Sequence, residues 1–524
     1  MIRSSINVST IPNLRILKNK FCLPVQKKAS LLNENTFHFL NKSDSLSNIG
    51  WNGHDNVISK LWRYNQHYFD DLNAKGSSQR KKWHDQLLKH WISENKVGKG
   101  VGWESYPTSL RIINWVKWNF SGNTLSDSCV ESLALQARWL NKRIEWHILG
   151  NHLFSNAKAL VFAGLFFSSK ESEAWLKKGL KIINDQLNEQ VLDDGGNFER
   201  SPMYHAIFLE DVLDLINISQ VYPKTVQGFQ VSRWIKITNN MLRWLDIMIH
   251  PDGNIAFFND SALGVAPNFN ELKSYAQRLG IKYSYTKSKK VTHLPYSGYV
   301  RFNSNDLIGL LDVAPIGPDY LPGHAHADTL SFELSLFGQR LIVNGGTSEY
   351  KISPVRQYER STKAHNTVVI NDKNSSEVWR GFRVARRAYP FDLKIEESEN
   401  HVSITCAHDG YRRLLGRPIH RRRWQFFKTS LIIKDHIEGS FKNAYAYFHF
   451  HPSVNMAKIK NNVWNLEMSN GRQIMLEVKR GKPIIETSYY APEFGKRFNT
   501  QCLKVALDKT EGSYIKIIWD NSDE

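Results

Sequence analysis

Apolar residues recur every three or four positions along the chain up to about residue 285. In "NHLFSNAKALVFAGLFF" this spacing places the apolar positions on one face of a helix. Similar stretches include "SLRIINWVKW" and "WIKITNNMLRWLDIMI". Many helices joined by short loops are typical of layered helical hairpins. Because no short repeat is visible, the pattern predicts an α/α toroid, an incomplete barrel of helical hairpins, rather than a regular solenoid.

The pattern changes to a period of two after about residue 290. In "TLSFELSLFG" Leu330, Phe332, Leu334 and Leu336 alternate with polar residues, and "GQ" then turns the chain into "RLIVNGG". Stretches such as "RRWQFFKTSLIIKDHIEG" and "SYIKIIWD" continue in the same way. This alternation predicts an antiparallel β-sandwich with one face of each sheet in the core.

The two patterns together predict an α+β protein with two domains. We expect residues 1–48 to form an irregular N-terminal extension, residues 49–288 the toroid, and residues 289–524 the sandwich. The polar, basic stretch "YTKSKKVTHLPYSG" marks the boundary between the two domains.

Charge and composition narrow the choice of partners. A formal net charge of +19 attracts polyanions, so nucleic acid, an anionic membrane and an acidic polysaccharide all qualify. No nucleic-acid-binding motif is found, and no apolar run approaches the roughly 20 residues of a membrane span. The four cysteines lie far apart and form no CxxC pair, and no secretory signal peptide is evident. We therefore expect a cytoplasmic protein with neither a nucleic-acid partner nor a membrane span.

Residues that could take part in catalysis lie at two predicted helix starts. Asn151 and His152 follow the helix breaker Gly150, at a position where free backbone N–H groups favour an anion. Ser201 is a natural N-cap that places Tyr204 and His205 in a first turn. Each stretch on its own fits ordinary capping and packing equally well. If the helices are layered in register, both starts lie on one rim, where a carboxylated substrate would be held.

A third group begins the sheet region. In an extended chain His324, His326 and Asp328 would project to one face. His365 follows farther along, after two arginines. Neutral imidazoles suit zinc, so His326 and His365 are candidate ligands, although the spacing supplies no obvious acidic third ligand.

Four of these stretches, taken in order, resemble the heparinase II/III-like polysaccharide lyases. The sheet region contributes "GHAHADTLSFELSLFGQRLIVNGGTSEY" and "KAHNTVVIND". The helical region contributes "GNHLFSNAKAL" and "FERSPMYHAIFLED". The resemblance extends over most of the chain after about residue 50 and implies the same toroid and sandwich. It also implies an enzyme that cleaves a uronate-containing anionic polysaccharide by β-elimination, and it leaves a periplasmic or cell-envelope location as an alternative.

The resemblance assigns roles to particular residues. Asn151 would stabilise the negative charge that develops on the uronate, and Tyr204 would be the acid or the acid/base. His152 and His324 would be the base or its partners, depending on the substrate epimer. We assign substrate binding to a further set of polar residues, namely Glu199, Arg200, His205, Arg360 and Arg383.

The metal site of the family is altered in this chain. The resemblance implies a structural zinc held by two histidines and an aspartate, but Asn344 stands where the aspartate is usual. An amide oxygen is a weaker ligand for a dication than a carboxylate. His326 and His365 would be the remaining ligands.

Two other functions stay open. A glycoside hydrolase on a toroid would need a pair of carboxylic acids at a set separation, with candidates Glu104, Asp193, Asp194, Glu199 and Asp252. A non-catalytic protein that binds acidic glycans by charge alone is the other alternative. The His, Tyr and Asn motifs favour the lyase.

Overall fold

A computed structural model describes residues 10–53, 58–285 and 289–520. It confirms the predicted α+β fold, with helices in the N-terminal region and antiparallel strands in the C-terminal region. Residues 1–9 of the predicted extension lie outside the described residues, as do residues 286–288 at the predicted domain boundary.

The chain divides into two compact units that interleave along the sequence. The first comprises Met1–Val191, Ala206–Leu242 and Asn270–Ser284, and the second comprises Leu192–His205, Arg243–Phe269 and Tyr285–Glu524. Short segments of the helical region thus pack with the strands, whereas the sequence predicts domains that follow one another along the chain.

The helical region consists of ten helices within the described residues. They are α1 Leu46–Ile49, α2 Lys60–Tyr68, α3 Lys81–Glu94, α4 Ser105–Phe120, α5 Asp127–Asn141, α6 Gly150–Phe166, α7 Lys170–Gln190, α8 Pro202–Val221, α9 Gly228–Ile247 and α10 Phe269–Arg278.

Helix α6 is the most deeply buried helix of the first unit. It packs against α4, α5 and α7, and every residue after His152 is buried, so the helix is covered on all sides rather than on one face. Small residues allow this close packing. A Cβ at Gly164 would lie 2.8 Å from the carbonyl oxygen of Ser172, and one at Gly179 would lie 2.8 Å from that of Ala157.

A buried ionic cluster crosses the same unit. The Nζ atom of Lys158 donates to Asp211 at 2.7 Å and to Asp214 at 2.5 Å, and Tyr275 donates to Asp214 at 2.9 Å. Lys117 also pairs with Asp214. Charges this deep are tolerated only when they are paired and hydrogen-bonded.

The expected irregular extension contains regular structure. Strands β1 Asn13–Leu14 and β4 Phe167–Ser168 form one antiparallel pair, and β2 Thr36–Phe39 and β3 Lys42–Ser45 form a hairpin. Phe37 and Phe39 are alternate residues of the hairpin, and both pack against Trp62. This aromatic contact ties the N-terminal segment to the helices.

Three antiparallel sheets make up most of the second unit. A five-stranded sheet has the order β5-β6-β7-β8-β9, a four-stranded sheet β10-β17-β22-β21, and an eight-stranded sheet β13-β14-β15-β16-β23-β20-β19-β18. The bounds are β5 Val291–Leu294, β6 Tyr299–Asn303, β7 Leu307–Asp312, β8 Phe332–Leu336, β9 Gln339–Ile342, β10 Val368–Ile370, β11 Val378–Trp379, β12 Arg383–Val384, β13 Pro390–Glu397, β14 His401–His408, β15 Ile419–Phe427, β16 Ser430–Glu438, β17 Ala444–His449, β18 Asn455–Lys460, β19 Val463–Glu467, β20 Gln473–Arg480, β21 Lys482–Tyr490, β22 Phe498–Ala506 and β23 Ser513–Trp519.

One hydrophobic core joins these sheets. Phe302 of β6 stacks on Phe426 of β15 at 4.1 Å between ring centroids, and Phe332 of β8 contacts Phe448 of β17 at 6.2 Å. The short helix α11, Pro354–Glu359, begins at the N-cap Ser353 and lies between β9 and β10 in the sequence.

Strand β8 differs from the predicted pattern in two ways. Its apolar residues enter the core as expected, but Glu333 on the opposite face is also fully buried and accepts a hydrogen bond from His250 at 2.8 Å. Both faces are therefore covered. The strand begins only at Phe332, so His324, His326 and Asp328 lie in a loop and not on one face of an extended segment.

Within the described residues, no helix combines the length and the hydropathy that a membrane crossing requires.

Candidate active site

The first turn of α8 positions a tyrosine, as the sequence predicts. The hydroxyl of Ser201 accepts a hydrogen bond from the backbone N–H of Tyr204 at 3.2 Å, which is the N-cap arrangement. The Tyr204 side chain is nearly buried, and its hydroxyl lies 3.1 Å from that of Tyr350. The cap therefore fixes where this phenol lies.

An imidazole packs directly on that phenol ring. The ring centroids of Tyr204 and His324 are 3.9 Å apart, and the His324 side chain remains 18% exposed. The other side of His324 faces Asp260, whose carboxylate lies 2.9 Å from Nδ1. The backbone N–H of Asp260 also donates to the His324 carbonyl at 2.9 Å. Phenol, imidazole and carboxylate are thus in contact within the second unit.

Asp260 is the electrostatic centre of the site. Its fully buried carboxylate accepts hydrogen bonds from both terminal nitrogens of Arg356 and from Nε2 of His326 at 2.8 Å. Burial alone would raise the pKa of Asp260, but the charge of Arg356 and the two imidazole hydrogen bonds outweigh it and hold the pKa well below its usual range. Asp260 is therefore an anion at neutral pH.

The charge on Asp260 determines the tautomer of His324. A carboxylate only accepts hydrogen bonds, so Nδ1 of His324 carries the proton that is donated to Asp260. In the neutral imidazole Nε2 is then free to accept a proton. This is the protonation state that a general base requires.

Burial and neighbouring groups keep Tyr204 protonated. They raise its pKa well above the ordinary value, with burial the largest cause, followed by Tyr350 and the negative charge of Asp260. The pKa of Tyr350 is raised in the same direction, also mainly by burial. Two neutral phenols thus lie beside an imidazole whose Nε2 can accept a proton.

The two candidate metal ligands of the sheet region lie side by side. Nδ1 of His326 is 3.1 Å from Nε2 of His365. His326 donates from Nε2 to Asp260, and His365 donates from Nδ1 to the Ser361 carbonyl at 2.7 Å. In neutral rings both facing nitrogens therefore carry lone pairs, and a cation between them would remove the repulsion. Burial lowers the pKa of His326 to about 4, which disfavours a proton as that cation.

Asn344 does not extend this pair in the way that an aspartate would. Its Oδ1 already accepts from the backbone N–H of Asn366 at 3.1 Å and from the Asn366 side chain at 3.2 Å. The described residues contain no group of three or more His, Cys, Asp or Glu side chains with metal-site geometry. The donor chemistry thus fits two zinc ligands, and zinc occupancy stays a prediction.

The other two predicted catalytic residues lie in the first unit. Asn151 and His152 are in the first turn of α6, and both are partly exposed. His152 stacks on Tyr106 at 4.4 Å between ring centroids, and its Nδ1 lies 3.2 Å from a carboxylate oxygen of Glu145. Their predicted roles rest on the motif alone.

Four of the five residues assigned to substrate binding have side chains that are buried or already hydrogen-bonded to the protein. Arg200 donates to the carbonyls of Ser297 and Gly317. His205 is fully buried and stacks on Trp244. Fully buried Arg360 donates to the Ala325 carbonyl at 2.9 Å, and Glu199 is also buried. We therefore expect these side chains to support the site, not to touch a sugar, whereas Arg383 is exposed.

Carboxylates proposed for the hydrolase alternative have other partners. Asp194 accepts from the backbone N–H groups of Tyr296 and Ser297. Asp252 pairs with Arg340 at 2.8 Å. These carboxylates fix the backbone and a buried guanidinium.

Sequence reasoning missed the residues that organise the site. Asp260 lies 64 positions from His324 and 96 from Arg356, so no local spacing links them. A signal was present in "IAFFNDSALG", where one charged residue interrupts an otherwise apolar and small run. Tyr350 closes the motif "GGTSEY", and nothing in the neighbouring sequence indicates its role.

Two family models, which together match most of the chain, define the class of the protein. The chain belongs to the heparinase II/III-like family. The family model "Heparinase II/III N-terminus" matches residues 81–283, and "Heparinase II/III-like, C-terminal" matches residues 286–518. The resemblance carried by the four motifs is thereby confirmed.

Curated relatives and a solved structure agree with this assignment. A heparin-sulfate lyase of Bacteroides stercoris is 29% identical over 318 residues, which are 56% of this chain and 45% of the relative. A heparin-sulfate lyase of Pedobacter heparinus is 27% identical over 253 residues, which are 43% of this chain and 36% of the relative. The matches thus span less than half of either relative. The crystal structure of a heparinase III has a TM-score of 0.73 and 18% identity, covering 90% of this chain and 80% of that one, and shows the shared fold.

Proposed function

We propose that this chain is a polysaccharide lyase that cleaves a uronate-containing glycosaminoglycan by β-elimination. The observation that carries the proposal is the 3.9 Å contact between the rings of Tyr204 and His324, with the tautomer of His324 set by Asp260. The relatives are named heparin-sulfate lyase, so heparan sulfate is the first substrate that we propose.

The reaction moves one proton from carbon to oxygen. Nε2 of His324 takes the C5 proton of the uronate, and the electron pair of the C5–H bond is held as an enolate of the carboxylate. That pair then forms the C4=C5 bond while the C4–O4 bond breaks, and the hydroxyl of Tyr204 protonates the departing O4. The His324 imidazolium finally returns its proton to the Tyr204 phenolate, which restores both groups.

The raised pKa of Tyr204 supports this division of roles. A phenol that stays protonated at neutral pH is suited to donate to a leaving oxygen, whereas its phenolate would be needed for a base. Asp260 supports the other half, because its negative charge stabilises the His324 imidazolium that forms in the reaction.

The closeness of the two rings favours one substrate epimer. If base and acid approach from the same side, the C5 proton and O4 must lie on the same face of the sugar. Glucuronate has that arrangement and iduronate does not. We therefore propose glucuronate at the cleaved position.

The developing charge on the carboxylate also needs hydrogen-bond donors. On the motif alone, we propose that the side-chain amide of Asn151 supplies one. With His324 as the base, the motif leaves His152 the role of its partner.

We also propose that His326 and His365 hold a structural zinc ion. The support is the pair of facing nitrogens, 3.1 Å apart, whose protons are on the opposite sides of the rings. Bound zinc would supply a positive charge that orders the loop from His324 to His326. No step of the elimination needs it.

Ultraviolet absorbance of the unsaturated product tests the proposal. We expect absorbance to rise with heparan sulfate, and Tyr204→Phe to lower kcat by about 10²-fold or more while glycan affinity is retained. Tyr411→Phe is the matched control, because Tyr411 is fully buried and donates to the Val368 carbonyl at 2.7 Å. Equal losses in both variants would assign Tyr204 a structural role and contradict the proposal.

A further inference from the structure

A short hairpin next to His324 takes no part in the proposed proton transfers. Strands β11 and β12 pair through Val378 with Val384 and Trp379 with Arg383, and Arg380 turns the chain at φ 51°. The segment reads "VWRGFRV". A two-stranded hairpin of this size is marginal alone, so it must be held by its surroundings.

Two buried arginines hold the hairpin by its backbone. Arg356 donates from Nε and Nη2 to the Gly381 carbonyl at 3.2 and 3.1 Å. Arg360 has Nη1 within 3.4 to 3.5 Å of the carbonyls of Trp379, Arg380 and Arg383. Both guanidinium groups are fully buried. Two buried cations thus fix the backbone of one surface hairpin.

The same two arginines hold the acid–base site. Arg356 pairs with Asp260, and Arg360 donates to the Ala325 carbonyl between the two loop histidines. A Cβ at Gly381 would lie 3.1 Å from the Tyr350 carbonyl oxygen, so the backbone approaches the site closely there. Hairpin and site therefore share one rigid support.

The hairpin presents two aromatic rings to solvent. Trp379 is 46% exposed and Phe382 is 43% exposed. The Phe382 ring lies 5.7 Å from that of His324 and 5.3 Å from that of Tyr350, measured between centroids. Exposed aromatics beside a catalytic imidazole are suited to pack against the C–H face of a sugar ring.

Two arginines alternate with these rings. Arg380 and Arg383 are exposed, and across residues 10–53, 58–285 and 289–520 neither forms a salt bridge with a carboxylate. By contrast, the arginines of the open cleft that follows the hairpin are paired, Arg386 with Glu377 and Arg387 with Asp319. Of these four arginines, the two on the hairpin are therefore the ones whose charge no carboxylate of the described residues balances.

We infer that the hairpin Val378–Val384 is a binding subsite for the anionic sugar adjacent to the cleaved uronate. Phe382 and Trp379 pack against sugar rings, and Arg380 and Arg383 bind a sulfate or carboxylate through paired N–H donors. The inference rests on the proposed function, and it adds a recognition element that selects anionic chains by contact and not by overall charge.

Affinity for a size-defined heparan sulfate oligosaccharide tests the subsite. It is measured by calorimetry in the Tyr204→Phe background, in which cleavage is slow. We expect Arg380→Glu/Arg383→Glu to weaken binding by about tenfold or more. The matched control is Lys458→Glu/Lys460→Glu, which makes the same change of charge at exposed positions of β18. It should change affinity by less than about twofold.

The outcomes separate this inference from the proposed function. Equal weakening by both double variants would show long-range attraction alone and overturn the subsite. Retained affinity in Arg380→Glu/Arg383→Glu and in Trp379→Ala/Phe382→Ala, with a wild-type protein that cleaves heparan sulfate, would overturn the subsite and leave the lyase standing. A wild-type protein that neither binds nor cleaves the glycan overturns both. Thermal unfolding of the two charge-reversal variants should match the parent, because their changed side chains are exposed. Thermal unfolding of Trp379→Ala/Phe382→Ala shows whether that variant remains folded at the temperature of the binding measurement.

Discussion

Replacement of Asp260 by asparagine tests two functions of this carboxylate, which pairs with Arg356 and sets the tautomer of His324. The side chain changes little in shape but loses its charge, so the fully buried guanidinium of Arg356 loses its anionic partner. Breaking a buried ion pair from one side typically costs about 3–5 kcal/mol. The asparagine can also donate to Nδ1 of His324, which would move the proton to Nε2 and remove the base.

We expect Asp260→Asn to lower kcat by about 10²–10⁴-fold, the range that acid–base catalysis typically supplies. Unfolding in denaturant should show the loss of stability, and the rate of unsaturated product formation should show the loss of activity. Adding Arg356→Met should recover part of the stability, because the unpaired charge is removed, but none of the activity.

Asp435→Asn provides the matched control. Asp435 is fully buried and pairs with Arg422 through Nε at 2.7 Å and with His420 through Nε2 at 2.7 Å, the same types of partner as those of Asp260. We expect a similar loss of stability with kcat within about threefold of wild type at a temperature where the variant is folded. If Asp260→Asn retains kcat, or if both variants lose it equally, the role of Asp260 in setting the base is refuted.

Three further predictions concern pH, metal and the helical unit. Burial raises the pKa of Glu359 to about 7. The native state therefore keeps a proton that the unfolded state releases above about pH 4.3. Because of this group, the free energy of unfolding falls as the pH rises from about 4.3 to 7. Glu359→Gln should remove up to about 3 kcal/mol of that dependence in denaturant titrations at several pH values, and parallel curves for variant and wild type would contradict the assignment. Metal analysis of purified protein should find about one zinc per chain, lost in His365→Ala, whereas equal metal content in both would exclude the His326–His365 pair as its site. Lys158→Met should lower the free energy of unfolding by about 3–5 kcal/mol, because Asp211 and Asp214 lose a buried cationic partner. An unchanged denaturation midpoint would show that the cluster adds nothing to stability.

Local rules explain what could be predicted of the site. Ser201 and Pro202 predict a helix start, because serine is a preferred N-cap residue and proline a preferred first residue of a helix. This local rule places Tyr204 in the first turn without reference to the rest of the fold. The change from a helical period to alternation likewise depends only on neighbouring residues, and both the helices and the strands follow it.

Long-range contacts explain the rest. The sequence places His324 on a strand, but the strand starts at Phe332, since the loop before it is held by Asn259, Asp260 and Arg360 instead of a neighbouring strand. Glu333 is polar and yet buried, because His250 reaches it from another segment. Such partners depend on the completed fold, and spacing along one chain does not reveal them.

Digestion of heparan sulfate in water labelled with heavy oxygen, followed by mass spectrometry, tests the central claim most directly. We predict fragments that carry the C4=C5 double bond of an unsaturated uronate and no heavy oxygen, because elimination consumes no water. Tyr204→Phe should form them about 10²-fold more slowly or slower still. Fragments that gain one heavy oxygen and lack the double bond would show hydrolysis, and the account of Tyr204 and His324 as an elimination pair would be contradicted.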